Sequence, residues 1–260
     1  MLIVNADDFG LSAAINKGII ETIEKGVVNS VSLVASGAAF DEAVDFLKKN
    51  KSVKAGIHLT LIEEKPVLAP DSIKSLVEPD GRFFKSYKDF LLRYILGKIV
   101  SCDVEAELFG QAEKIRSAGI RISHCDSHQH IHLLKKISET VILVCKDYKI
   151  PRIRIVNEPP SLRSFVRFVP LCVMNLMSNR VRSLAAPYGI VVADRFFGFN
   201  TSMHVTDEII RKAKAKGGKE TVELMCHPGY NPKPGTSVYS HWNMDWDRER
   251  TTLLQAFGKM

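Results

Sequence analysis

Short β-branched stretches alternate with helical stretches along most of the chain, and this alternation restricts the fold more than any other feature. The patterning predicts strands over 2–6, 30–35, 54–61, 121–125, 152–156, 189–193 and 221–226. It predicts helices over 12–25, 41–49, 87–99, 104–118, 135–148, 161–178, 206–216 and 245–257, with Gly26 and Gly119 as stops. The stretch 62–82 is rich in Pro, Asp and Gly and reads as a long loop. Strands separated by helices lie parallel, side by side, with the helices covering them. About seven such units fit a distorted or incomplete (β/α) barrel better than a flat doubly wound sheet. One domain over 1–260 is the expectation for a chain of 260 residues.

Composition excludes other classes. Apolar residues make up 45% and charged residues 25%, which rules out a disordered or collagen-like chain. No apolar run approaches the ~18 residues of a membrane span. The first residues, MLIVNADDFG, lack the basic flank and long apolar run of a signal peptide. Five scattered cysteines without a CxxC pair argue against a disulfide framework and for a cytoplasmic setting.

Net charge is +7, and 146–182 holds eight basic residues against two acidic ones. A basic stripe attracts phosphorylated ligands, nucleic acid or anionic lipid, or is simply a solvated or oligomer-facing surface; no nucleic-acid partner is expected. In the predicted helix 161–178 and just beyond it, the apolar residues Leu162, Phe165, Val166, Val169, Leu171, Val173, Met174, Leu176 and Met177 exceed one core-facing stripe. Arg163, Arg167, Arg180 and Arg182 flank them. Such a face suits a homodimer, or a peripheral contact with an anionic membrane carrying a lipid-linked substrate.

The ionisable residues cluster just after the predicted strands. Asp7 and Asp8 follow the first, His58 lies near the end of the third, and His124, Asp126, His128, His130 and His132 straddle the end of the fourth. Asp194 follows the stretch at 191–192, and His227 follows the last strand. The C-terminal strand ends of α/β barrels carry the active site. Adjacent carboxylates repel unless they share a cation or a proton, so one can ligate a metal while the other takes a proton from water; the alternative is a helix N-cap. The histidines of HCDSHQHIH alternate with period two, which in an extended segment puts them on one face as metal ligands, supporting partners or substrate contacts. Asp126 is placed to hold a ligand histidine by its other ring nitrogen. His58 also suits a hydrogen-bonded core position. His227 precedes Pro228 and Gly229, where proline restricts the backbone and glycine permits close approach of a ligand; it suits proton donation to a leaving group, or a simple turn. Arg152 and Arg154 share a strand face and can orient a carboxylate such as Asp7, bind substrate, or stand exposed.

NADDFGLS at 5–12, GIHLTL at 56–61, HCDSHQHIH at 124–132 and MCHPGY at 225–230 resemble the YdjC/ChbG-like carbohydrate deacetylases, in family order and spacing over most of the chain. Between 62 and 92 the similarity is slight, and 193–204 is similar to a branch associated with hopanoid biosynthesis. The resemblance implies a distorted (β/α) barrel, related in chemistry to NodB-type polysaccharide deacetylases. It implies Asp8, His58 and His128 as ligands of one divalent metal ion, magnesium or zinc, with Asp7 as base and His227 as acid. Family members usually continue to a further helix and strand, so the closing barrel element is expected to be absent here or supplied differently. The implied reaction is hydrolytic N-deacetylation of an acetylated sugar, an oligosaccharide or a glycolipid-linked N-acetylglucosamine type. Phe83, Phe84, Tyr87, Tyr230, Trp242 and Trp246 are the aromatic residues available to stack on sugar rings, Trp242 and Trp246 equally suiting core positions. The rival readings are a metal-dependent phosphoesterase, which usually needs two metals, and an inactive sugar- or glycolipid-binding protein.

Overall fold

The computed structural model describes residues 1–159, 165–201, 204–232, 239, 242 and 244–258. Six parallel strands form a curled sheet in the order β4-β3-β2-β1-β6-β5. They are β1 (Leu2–Phe9), β2 (Ser30–Leu33), β3 (Lys54–Leu59), β4 (Cys125–Ser127), β5 (Arg195–Phe197) and β6 (Val222–Cys226). Among the described residues eight α-helices accompany them: α1 (Ala13–Glu24), α2 (Phe40–Lys49), α3 (Tyr87–Ile95), α4 (Ser101–Ser117), α5 (Lys135–Asp147), α6 (Phe165–Ala185), α7 (Asp207–Gly217) and α8 (Trp246–Phe257). The incomplete (β/α) barrel is therefore present, with six strands where the patterning predicts seven.

The difference lies where the curl closes. Residues 152–156 and 189–193 run through barrel positions but make only single bridges, Cys125 to Ile153 and Arg152 to Val191. Two backbone hydrogen bonds accompany each bridge, the Cys125 N–H to Arg152 and the Arg154 N–H to Cys125, then the Ile153 N–H to Val191 and the Val191 N–H to Pro151, and the pairing stops there. The Val156 N–H donates to Ser178 Oγ (2.8 Å), and Asn157 Nδ2 donates to the Asp194 carbonyl (2.9 Å). The strand expected at 189–193 falls at Arg195–Phe197, β5, instead. Likewise β4 begins at Cys125 rather than at 121, so Asp126 lies within the strand and not beyond it.

Packing against the outer face makes the core, with Ile19, Leu33, Ile57, Val141 and Leu224 fully buried in one continuous cluster. Helix termini follow ordinary capping chemistry: Ser12, Ser86 and Thr206 accept from the backbone N–H three residues on. The inner face is polar. Asn5 Nδ2 donates to Ser32 Oγ (2.8 Å), and Ser32 Oγ donates to Asp126 Oδ2 (2.6 Å). Gly56 opens this interior, because a Cβ there would lie 2.3 Å from His124 Nε2.

The basic helix runs to Ala185, farther than expected; Leu162 and Arg163 lie outside the described residues. Part of its apolar excess is absorbed: Leu171 is buried and Met174 and Met177 pack on the core, while Val169, Val173 and Leu176 stay exposed. Arg180 is tied to α5 through Ser138 Oγ (2.6 Å) and Glu139. No described helix is long and apolar enough to cross a membrane.

Candidate active site

A cleft of about 470 Å³ opens at the C-terminal ends of the strands, with Asp7, Asp8, His58, His128, His130 and His227 among its lining residues. Ordinary strand alternation would send Asp7 and Asp8 to opposite faces. The β1–β2 register shifts between Ala6 and Phe9, and Asp8 sits in left-handed backbone at φ 64°. This irregularity brings both carboxylates to the cleft; Asp is one of the few residues that adopts it at modest cost. Gln129 and His130 are left-handed as well (φ 49° and 56°), because residues His128–Leu133 form a kinked 3-10 turn.

That turn corrects the expectation of histidines on one extended face. His128 and His130 reach the cleft. His132 is buried behind it, its Nδ1 accepting from Ser127 Oγ (2.6 Å) and its Nε2 donating to the Arg154 carbonyl (3.0 Å). His124 lies in the barrel interior between Ser32 and Ser123, and burial lowers its pKa to about 3. His130 packs on Phe196 and Phe199, and burial together with Arg154 pushes its pKa well below the usual imidazole range.

Three groups converge at the floor. Nε2 of His58 and Nδ1 of His128 each lie 3.4 Å from Asp8 Oδ1. That oxygen is buried and has no hydrogen-bond partner. The 3.4 Å spacing is long for a strong hydrogen bond but is the spacing of two ligands each about 2.1 Å from a shared ion. Both imidazoles are held from behind: His58 Nδ1 is 2.8 Å from Asp126 Oδ1, and His128 Nε2 is 3.0 Å from Glu63 Oε2. Carboxylates bound to the outer nitrogen fix ring orientation and raise ligand basicity at metal centres. Burial opposes the Asp8 charge, yet His128 and His58 hold its carboxyl well below the usual range. Burial likewise opposes the imidazolium of His58, but Asp126 carries its pKa up to about 10. The donor set thus fits a divalent cation.

Asp7, His58 and Asp126 also stand close enough to share an ion, but a guanidinium already serves those carboxylates. Arg154, fully buried, donates to Asp7 through Nη1 (2.6 Å) and Nη2 (2.7 Å), to Glu223 through Nε (2.6 Å), and pairs with Asp126 (2.8 Å). Of the two strand arginines, Arg154 therefore orients Asp7, whereas Arg152 reaches Glu223 at 3.6 Å, away from the cleft.

His227 follows β6, its backbone N–H donating to Glu249 Oε1 (2.7 Å) and its Nδ1 lying 3.8 Å from the same oxygen. Burial opposes its protonation, but the Glu249 carboxylate raises its pKa. Gly229 admits no ligand: it packs on α1, where a Cβ at Gly18 would lie 2.4 Å from Gly229 Cα. Asp194 is exposed at the N-terminal end of β5, accepting the Thr221 N–H, and is not part of the site.

Of the aromatic residues, Tyr87 and Trp242 line the cleft. Phe83, Phe84 and Trp246 are buried, and Tyr230 packs under Arg250 on the outside. Trp242 stacks on His128 with ring centroids 4.9 Å apart and donates to Glu63 Oε2 (2.7 Å). Glu63 and Phe199 escaped the sequence reading. Glu63 sits in a loop without periodicity, and no signal in the sequence marked it. Phe199 lies beyond β5, with its N–H on buried Glu158 (2.9 Å).

A model of YdjC-like proteins matches residues 1–257. The chain belongs to the YdjC-like family. Among its curated relatives, a carbohydrate deacetylase of Clostridium beijerinckii is 30% identical over 88% of this chain and 81% of its own length. One from Halalkalibacterium halodurans is 32% identical over 88% of this chain and 85% of its own. A crystal structure from Enterococcus faecalis, described as a candidate cellobiose-phosphate cleavage protein, superposes with a TM-score of 0.75 at 23% identity, covering 99% of this chain and 94% of that one. That likeness establishes the YdjC-like fold, the incomplete α/β barrel.

Proposed function

We infer that this YdjC-like protein is a cytoplasmic, single-domain enzyme that hydrolyses the N-acetyl group of an acetylated amino sugar, releasing acetate. The observation that carries the reading is the pairing of two different carboxylates on one bulge: Asp8 shared by two braced imidazoles, Asp7 clamped by Arg154. Its relatives' activity as carbohydrate deacetylases supports it.

Asp8, His58 and His128 would hold one divalent cation, zinc or another transition metal suiting two imidazoles better than magnesium. Such an ion supplies Lewis-acid polarisation of the acetyl carbonyl and a more acidic water. Asp7 then takes the water proton; Arg154 binds both of its oxygens and fixes their direction. His227 gives a proton to the departing amine, which cannot leave as an anion, and Glu249 favours the protonated imidazole needed for that step. Tyr87 and Trp242 offer ring faces for the sugar.

The test is acetate release from acetylated mono- and oligosaccharides and glycolipids, after chelation and after return of zinc, magnesium, manganese or cobalt. Metal-restored acetate release is the expected result. Sugar binding without acetate under every metal overturns the catalytic reading. Two ions per chain with phosphoester cleavage overturns it in favour of a phosphoesterase.

A further inference from the structure

A second cavity, of about 660 Å³, opens at the opposite end of the sheet, where the strands begin. Four cations line it, Lys51, Lys54, Arg121 and Arg152, and no Asp or Glu does among the described residues. Lys51, Lys54 and Arg121 are exposed and pair with no carboxylate among those residues. The inward face supplies the floor. Ser30 and Lys54 are register partners on β2 and β3, and each stands two residues before an interior residue, Ser32 and Gly56.

Two donors on that floor are buried without a hydrogen-bond partner: Ser30 Oγ, on a residue 1% exposed, and Arg152 Nη1. Arg152 leans on Glu223 only at 3.6 Å. Buried donors left unpaired are costly, and a concave surface of one charge sign concentrates the opposite charge. An occupant that answers this lining brings several negative charges and several acceptor oxygens, and no donors. Phosphoryl groups have those properties, and the volume suits a small phosphorylated molecule up to nucleotide size.

We propose that this cavity is a binding site for a small phosphorylated metabolite, separate from the hydrolytic cleft. Titration calorimetry of the full chain with inorganic phosphate, glucose 6-phosphate and AMP tests it, with glucose and adenosine as uncharged controls. At least one phosphate-bearing probe binds one-to-one and saturably, more weakly as salt rises, while the controls do not. Tight binding of inorganic phosphate alone identifies the free ion as the ligand; a gain with glucose 6-phosphate or AMP identifies an organic phosphate. Lys54→Gln with Arg121→Gln lowers affinity by roughly tenfold or more, as loss of charged hydrogen bonds does. Ser30→Ala lowers it a few-fold with every charge retained, and Asp8→Asn leaves it unchanged. Equal affinity in the Lys54→Gln, Arg121→Gln protein overturns the site, as does loss of binding in Asp8→Asn. Failure of all three probes to saturate overturns it too.

Discussion

The Asp7–Asp8 pair divides its labour because each carboxylate has a different neighbour. Asp7→Asn keeps Asp8 and both imidazoles, so metal content should stay at the wild-type level while turnover falls by about two to four orders of magnitude. Steady-state acetate release beside metal analysis checks this. His128→Ala removes one of three ligands, and metal stoichiometry by mass spectrometry should collapse while circular dichroism keeps its shape. Glu63 touches His128 from behind and takes the Trp242 N–H on the same oxygen. Glu63→Gln should weaken metal binding by about 10–100-fold, measured by competition with a chelating dye. The positions of Asp7, Asp8, His58, Asp126, His128 and His227 were legible in the sequence because each sits at or next to a strand end. Glu63 was not, since a left-handed residue in an irregular loop leaves no period to read.

At the scale of elements, alternation located most helices and strands to within a few residues, α6 running on to Ala185 where 178 was expected. It failed where side chains captured backbone groups. Residues 152–156 and 189–193 carry only two isolated parallel bridges, and beyond them the Val156 N–H goes to Ser178 Oγ, so neither stretch extends into a ladder. It failed again at the HCDSHQHIH run, since period two predicts one face only if the segment stays extended, and two left-handed residues break it. The α1–β6 junction gives an element-scale prediction. Gly18 and Gly229 let α1 approach the loop that carries His227. Gly18→Ala forces a Cβ against backbone and should cost about 1–3 kcal/mol. The urea midpoint should fall accordingly, and an unchanged midpoint would show that the two backbones part freely.

For the whole molecule, the decisive interaction is a single guanidinium amid three buried carboxylates. Arg154 reaches Asp7, Asp126 and Glu223, which arrive from β1, β4 and β6. Arg154→Gln strands those charges and should cost about 3–5 kcal/mol, as breaking one side of a buried ion pair does. Equilibrium denaturation reads this directly. The sequence placed Arg152 and Arg154 on one face and let either orient Asp7; it did not show that Arg154 alone would gather Asp126 and Glu223 as well.

The strand order has a consequence for how the protein is made. β1 leaves the ribosome before the other five strands, yet its neighbour on one side, β6, follows all of them. At ordinary elongation rates that interval is on the order of ten to forty seconds. Throughout it, one edge of β1 has no partner, and for most of it Asp7 lacks the arginine that neutralises it. The nascent chain thus carries an open strand edge and an uncompensated acid, the kind of surface that holding chaperones protect. Translation halted before β6 would therefore release not a weaker enzyme but a sticky, inactive fragment.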